Sequence, residues 1–446
     1  MENHQHKIHE QTQLVPFCGY LSRDTPSEDV ELTHVGPGTP AGEYLRRFWQ
    51  PIAMSSEIGN RPVTVKILGE ALVAFRIPSG EVGLVHQHCP HRGASLEYGI
   101  VEEQGLRCAY HGWLIAQSGA VLESPSSHWA CRLVHGAYPV HEYHGLVFAY
   151  MGPPEQKPRF PLYDTTEDPG TKLVPFSFTT PCNWLQIGDN GMDPIHASYL
   201  HMIGYPQFGA VWTEVPELDF RETPLGMVYV ATARAGDRVW VRSNDAILPN
   251  ISQSASNWVN HDSKNFFSRA SMFRWKTPVD DGTTLQLGWR MFNEEVDPDG
   301  HGDESRIGKD SIDVIGQTVD EREYEERQAM PSDYDILISQ RRIAVHKLEH
   351  VGAADRGVVM LRRLIRKGIE QVRNEGFAAP LGGGGNMPLA TYAHDTLLDI
   401  PPACNGHDRG LLREVACAVS DAVIGSADAG AGRSAGVKKT LRSLET

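Results

Sequence analysis

The sequence predicts an α+β chain: a small all-β domain, then a larger domain in which helices cover an antiparallel sheet. Three observations carry this. Short β-branched runs separated by turn formers dominate residues from about 45 to 155. A proline- and turn-rich segment, GPPEQKPRFPLYDTTEDPG at 152–170, interrupts them. Beyond it, longer strand-like runs mix with stretches of helical period. The 446 residues exceed what one core usually holds. We therefore divide the chain into a polar N-terminal segment (1–44), the all-β domain (45–155), the α+β domain (156–424) and a tail (425–446). The small polar residues of the tail predict disorder.

Within this frame, TPAGEYLRRFWQP (39–51) reads as a short amphipathic helix with Tyr44, Leu45, Phe48 and Trp49 on one side. VTVKIL, ALVAFRI and VGLVHQHC follow as strands, with hairpin turns at Gly69-Glu70 and Pro78-Ser79-Gly80. LRCAYHGWLI, AVLES and GLVFAYMG continue the pattern. After the boundary, MVYVATAR, VWVRSN, FSRASMFRWKTPV and TTLQLGWRMFN are strand candidates, and Asp280-Asp281-Gly282 joins the last two as a hairpin. Helices are expected near 193–203, 333–350 and 355–375. The last has Asp355 as N-cap, a stripe of Val358, Leu361, Ile365 and Val372, and Gly376 as its stop.

Composition narrows the function. With 41 basic and 56 acidic side chains the formal charge is −15, which argues against a nucleic-acid or anionic-membrane binder. No run approaches the roughly 18–20 apolar residues of a membrane helix, and MENHQHKIHEQTQ lacks the apolar core of a secretory signal. Seven scattered cysteines are no disulfide framework, so a reducing cytoplasm is expected.

Two constellations carry chemistry. Cys89-Pro90-His91 and Cys108-Ala109-Tyr110-His111 sit at the ends of strand-like runs, and glycine follows closely in each case (Gly93, Gly112). Two thiolates and two imidazoles make a four-ligand metal site. Structural zinc more often pairs Cys with Cys and His with His in its knuckles. One Cys and one His per loop suits a [2Fe–2S] cluster with cysteines on one iron and histidines on the other. Further on, Asp193, His196 and His201 stand as D-x2-H-x4-H. Two histidines and one distant carboxylate form a facial triad for non-haem Fe(II), with positions open for O2 and substrate. Residues i and i+5 do not share a face of a regular helix, so His201 requires a π-bulge, a kink or the helix end.

CPHRGASLEYG followed by LRCAYHGW resembles the Rieske motif of ring-hydroxylating oxygenase α subunits. VGPGTPAGEYLRRFWQP and VTVKILGEALVAFR are similar to the entry of phthalate 4,5-dioxygenase-like members. The segment CNWLQIGDNGMDPIHASYLH resembles the family's N-W-x4-E-N-x2-D-x2-H-x4-H, with Asp189 where glutamate is usual. The resemblance implies His196 and His201 as iron ligands, Asn190 as a neighbour of the metal, and Asp193 as a bridge to the Rieske cluster of a second subunit. It places the third ligand in SDYDILISQRR. Ile336, Leu337 and Gln340 favour Asp333 over Asp335, although Ile338 and Ser339 depart from the family's Glu-Ala. Asp310, Asp313 and Asp320 are further candidates.

The resemblance implies a terminal oxygenase fed from NAD(P)H by a separate reductase, with or without a ferredoxin, and assembled as a head-to-tail homotrimer. It hydroxylates or cis-dihydroxylates an aromatic substrate, or alternatively removes N- or O-alkyl groups oxidatively. A Rieske electron carrier and a zinc-stabilised binding module are the alternatives of other classes. Arg234, Arg238, Arg242, Arg269, Arg274 and Arg290 are candidate pocket cations among which the sequence does not choose, and Trp258, Phe266, Phe267, Phe273, Trp289 and Phe292 are expected mainly in cores. Gly382–Gly385 lacks the context of a phosphate loop. Arg362–Lys367 is expected to be a solvated helix face.

Overall fold

The computed structural model describes residues 16–17, 26–125, 130, 132–202, 215–256, 258, 266–314, 316–318, 322–378, 387–404, 407–426 and 433–445. Cys18, Cys131, Asp320, Gly382–Gly385 and most of residues 1–25 lie outside them.

Residues 49–150 form three small antiparallel sheets. In one, β1 (Trp49–Met54) pairs with β11 (Leu146–Tyr150), which pairs with β10 (Val140–Tyr143). The second runs β2 (Val63–Ile67), β3 (Glu70–Arg76), β4 (Val82–His86), β9 (Ala137–Tyr138). The third runs β5 (Ile100–Glu102), β6 (Gly105–Arg107), β7 (Leu114–Ile115), β8 (Val121–Glu123). The helix expected through Trp49 is shorter: α1 (Pro40–Leu45) stops because Trp49 enters β1 opposite Tyr150. Ladder hydrogen bonds outweigh the local helical pattern here.

Beyond residue 170 a nine-stranded antiparallel sheet dominates. Its path is β12 (Lys172–Thr180), β19 (Thr283–Phe292), β18 (Met272–Asp280), β16 (Ile251–Ser254), β15 (Arg238–Ile247), β14 (Gly226–Ala235), β13 (Glu217–Thr223). β20 (His394–Leu398) pairs with both β15 and β17 (Phe267–Arg269). The β18–β19 hairpin turns at Asp280-Asp281-Gly282 as expected, with Asp280 Oδ1 accepting from Gly282 N at 3.1 Å.

Side chains alternate along β18. Phe273 and Trp275 join Trp289, Trp49, Phe148 and Tyr150 in an aromatic core between the large sheet and the first one. Arg274 and Lys276 face the opposite side, where helices lie. α2 (Trp184–Gly191) begins at Asn183, whose side chain accepts from Leu185 N at 3.1 Å. The expected helix near 333–350 is α3 (Asp333–Ser339) alone, since Arg341 adopts φ 77 and ends it. α4 (Arg356–Glu375) buries Val358, Leu361, Ile365 and Val372, and Gly376 closes it at φ 76. Asp355 occupies its N-cap position but accepts from Gly352 N at 2.6 Å instead of capping.

Two features correct the sequence reading. α5 (Asp408–Gly425) packs on the sheet, and within the tail expected to be disordered, Arg433–Arg442 form a further helix, α6. Low complexity hides an i,i+4 apolar pair, Val437 and Leu441, both buried. Buried Arg433 also pairs with Asp164, 269 positions away, which no local pattern reports. The basic run on α4 is solvated at Arg363 and Lys367 as expected, while Arg362 turns inward to bind Asp189 at 2.6 Å, and Glu222 and Asp29 take Arg363 and Arg366. Among the described residues no helix is long and apolar enough to cross a membrane.

Candidate metal centres

The two Cys–His loops share one backbone turn. Cys89 N donates to Ala94 O at 2.9 Å and Cys108 N to Trp113 O at 2.8 Å. Gly93 N returns to Cys89 O at 2.9 Å and Gly112 N to Cys108 O at 3.0 Å. Both turns need a left-handed residue, supplied by Gly93 at φ 74 and Gly112 at φ 73. The histidine sits two residues after the first cysteine and three after the second, so equal turns present their imidazoles from different positions.

The loops face each other. Cys89 is within hydrogen-bond reach of Cys108, and the His91 and His111 ring centroids are 4.5 Å apart. Trp113 stacks on His91 at 5.0 Å. Burial, with a further contribution from Cys108, pushes the Cys89 thiol up to about 11 against the backbone N–H groups that lower it. A cation between the sulfurs is what would hold both as thiolates. His91 Nδ1 is buried without a hydrogen-bond partner, a nitrogen that a metal would satisfy. No three of these four residues bring ligand atoms within 4.8 Å of one another. A single tetrahedral zinc would hold all four ligand atoms within roughly 4 Å. The spread fits a two-iron cluster with thiolates at one end and imidazoles at the other.

The second centre lies where α2, α3 and a π-helical turn meet. Residues Ala197–His201 form that π-helix, which brings positions five apart onto one side. His196 and His201 thereby stand with ring centroids 5.0 Å apart. Asp333, the first residue of α3, points between them: Oδ2 is 3.1 Å from His201 Nε2 and Oδ1 is 3.5 Å from His196 Nε2. The three ligand atoms all lie within 4.8 Å of one another, the one such group among the described residues. Asp333 is 5% exposed. Burial alone would raise its carboxyl, but His201, His196 and Gln317 outweigh this and hold it below the usual carboxylate range.

Around this group, Asn190 Nδ2 reaches Asp333 Oδ1 at 3.4 Å and Gln317 Nε2 reaches Oδ2 at 2.6 Å. His196 Nδ1 meets the main-chain oxygen of Asp193, leaving Nε2 for the centre. The sequence reading missed Gln317, which no motif marks. Asp335 takes no part: it binds Arg327 and closes a capping box with Ser332. Asp313 is engaged by Asp303 N at 2.8 Å and by Arg306 at 3.7 Å, and Asp310 occupies a left-handed turn at φ 56. Asp189 pairs with Arg362, and its burial pushes it up to about 6 against that pairing.

The structure also sorts the arginines. Arg234 pairs with Asp408, Arg242 with Asp395 and Arg269 with Asp164. Arg274 instead donates to the neutral amide oxygen of Gln317 at 2.7 Å, and Arg290 lies over Trp258 at 4.4 Å. Phe267, Phe273 and Trp289 are core residues, as expected.

Comparison with known proteins identifies the family. Residues 48–143 match the Rieske [2Fe-2S] domain. The chain is 41% identical over 408 residues to the oxygenase subunit of tert-butanol monooxygenase / tert-amyl alcohol desaturase from Aquincola tertiaricarbonis, covering 86% of each. It is a Rieske oxygenase α subunit. A second member, the phenoxybenzoate dioxygenase α subunit of Ectopseudomonas oleovorans, is 36% identical, with 78% of this chain and 86% of that one aligned. The Pseudomonas putida CBB5 NdmA QL mutant with caffeine shares the fold: TM-score 0.58, 19% identity, 75% of this oxygenase and 94% of that chain. As a member of this family, the oxygenase carries a [2Fe–2S] Rieske cluster and a mononuclear iron.

Proposed function

We propose that Cys89, His91, Cys108 and His111 hold the Rieske cluster and that His196, His201 and Asp333 hold the mononuclear iron. The observation that carries this is the meeting of two imidazole Nε2 atoms and one buried carboxylate on one point. When bound, the cluster supplies single electrons and the iron activates O2. The chain's own groups do the rest. Asn190 and Gln317 hold the two Asp333 oxygens, and the Asp193 carbonyl fixes the His196 tautomer. Three ligands on one side leave the other positions open. We place the boundary between the two centres' domains in 152–170, with the catalytic part running on through α6.

The reaction we propose is hydroxylation or cis-dihydroxylation of an aromatic compound. Monooxygenation, including oxidative dealkylation, is the second reading, supported by the monooxygenase relative at 41% identity. That relative's named substrates are aliphatic alcohols, while others are named for phenoxybenzoate, phthalate and 3-chlorobenzoate. Electrons come from a separate NAD(P)H-dependent reductase, with or without a ferredoxin. The tip of the second Cys–His loop is accessible for such a partner or a neighbouring subunit, with Tyr110 59% exposed. Assembly as a head-to-tail homotrimer in the cytoplasm completes the proposal. Product analysis on an aromatic panel with a surrogate reductase tests it: a diol indicates dioxygenation and a released aldehyde indicates dealkylation. A colourless protein with stoichiometric zinc would overturn it.

A further inference from the structure

Arg274 stands on β18, 6% exposed, and its neighbours Phe273 and Trp275 turn the other way into the aromatic core. Other arginines of this sheet meet a carboxylate directly: Arg234 meets Asp408, Arg242 meets Asp395 and Arg269 meets Asp164. Among the described residues Arg274 has no such direct pair. The carboxylate whose charge acts on it is Asp333, and the side chain of Gln317 stands between the two. Arg274 Nη1 donates to Gln317 Oε1 at 2.7 Å, and Gln317 Nε2 donates to Asp333 Oδ2 at 2.6 Å.

The backbone holds Gln317 in that place. Gly316, left-handed at φ 78, precedes it, and Gly316 O accepts from Tyr334 N at 2.9 Å. Tyr334 follows Asp333 in the first turn of α3, where N–H groups have no partner within the helix. Gln317 is therefore tied to the same helix end that presents Asp333. The chemistry then fixes the direction of the relay. A guanidinium has donors only, so the Gln317 amide gives its oxygen to Arg274 and its NH2 to the carboxylate. A direct Arg–Asp fork would engage both carboxylate oxygens, and the metal would have to compete for them. The inserted amide passes on one donor to one oxygen, while Asn190 reaches the other at 3.4 Å.

We propose that Arg274 is a positioning residue for the iron ligand Asp333: acting through Gln317, it locks the amide in the orientation that holds Oδ2 and so sets the carboxylate towards the metal. This rests on the assignment of the iron to His196, His201 and Asp333 made above. Charge and positioning act with opposite signs here. By charge alone, a cation near a divalent metal weakens metal binding, so its removal would tighten binding. As a positioning group it strengthens binding, so its removal weakens it. Without Arg274 the Gln317 amide is free to turn its oxygen on Asp333, and the carboxylate loses a donor.

The test measures the Fe(II) dissociation constant of the full-length oxygenase by chelator competition, with the Rieske spectrum followed in the same samples. Arg274→Met should weaken Fe(II) binding about tenfold or more, the range for losing a group that orients a metal ligand. Gln317→Met should do the same. Adding Arg274→Met to Gln317→Met should change the constant by less than about twofold, because the route to Asp333 is already cut. Nitric oxide on the ferrous site should give one EPR species in the wild type and more than one in Arg274→Met, where the amide takes both orientations. Tighter or unchanged Fe(II) binding in Arg274→Met, a single unchanged EPR species there, or losses from the two substitutions that add in full would each overturn the proposal. Where Arg274→Met does not fold, Arg274→Gln carries the same expectations, since its amide can present either atom and fixes nothing. Gln317→Met at wild-type affinity overturns the proposal by itself. A wild type without the Rieske spectrum, or unable to bind Fe(II), would strike instead at the oxygenase reading.

Discussion

The Nδ1 of His196 is held by the main-chain oxygen of Asp193, while the Asp193 carboxylate serves the next turn. Its Oδ1 accepts from Ile195 N at 3.0 Å and its Oδ2 lies 3.9 Å from the same Nδ1. Orientation of the imidazole and capping of the turn therefore come from different parts of one residue. Asp193→Asn preserves both, because Asn caps about as well as Asp.

That division sharpens the role of the Asp193 charge. Asp193→Asn should keep the Rieske spectrum and the iron. If Oδ2 accepts from the Rieske histidine His111 of a neighbouring subunit, product formation should fall about tenfold or more. The loss should appear as slow cluster oxidation in single turnover with substrate and O2. A near-normal rate would leave Asp193 only its cap and its carbonyl.

Asp333→Ala should lose the mononuclear iron and all turnover, with the Rieske absorption unchanged. Asp335→Ala should retain iron and activity and cost about 1 kcal/mol of stability, since it gives up a capping box and the Arg327 pair. Iron analysis and urea unfolding of the two variants check this. The reverse pattern would move the ligand to 335.

Cys108→Ser should abolish the Rieske EPR signal and leave the mononuclear site able to bind Fe(II), because its ligands come from other elements. An intact Rieske signal in this variant would refute the ligand assignment.

Asp245 yields a prediction about pH. Burial pushes it from 3.8 up to about 7, against the N–H groups of Tyr392 and Ala393 and the charge of Arg269, which pull it down. Between those two values the unfolded chain gives up the proton and the folded protein keeps it. Stability therefore falls as pH rises through that window. Asp245→Asn retains an acceptor for both N–H groups and cannot ionise. Its apparent Tm relative to wild type should rise between pH 5 and pH 8 by on the order of a few degrees. A constant difference across that range would show that Asp245 does not titrate there.

The sequence made local features legible and long-range ones not. The Cys–His loops were readable because their turn glycines and strands are neighbours in the chain. The D-x2-H-x4-H spacing already required an irregular helix, and the π-turn at Ala197–His201 supplies it. Asp333 came from resemblance, since 132 residues separate it from His201. Gln317 carries no motif and was missed. The arginines could not be ranked because their partners are distant: Asp408 is 174 positions from Arg234. α5 and α6 were missed where alanine, glycine and serine dilute the apolar stripe.

The alternation along β18 ties two properties of the chain to one strand. Phe273 and Trp275 secure the aromatic core shared with Trp49 and Phe148, while Arg274 and Lys276 project from the opposite face. Deleting a single residue at the middle of this strand would exchange the two sets at once, driving cations into the aromatic core and rings towards the catalytic side. Point substitution at 274 or 276 can therefore change one face alone, whereas insertion or deletion disturbs both. Length change in this oxygenase is left to the connections outside the sheet.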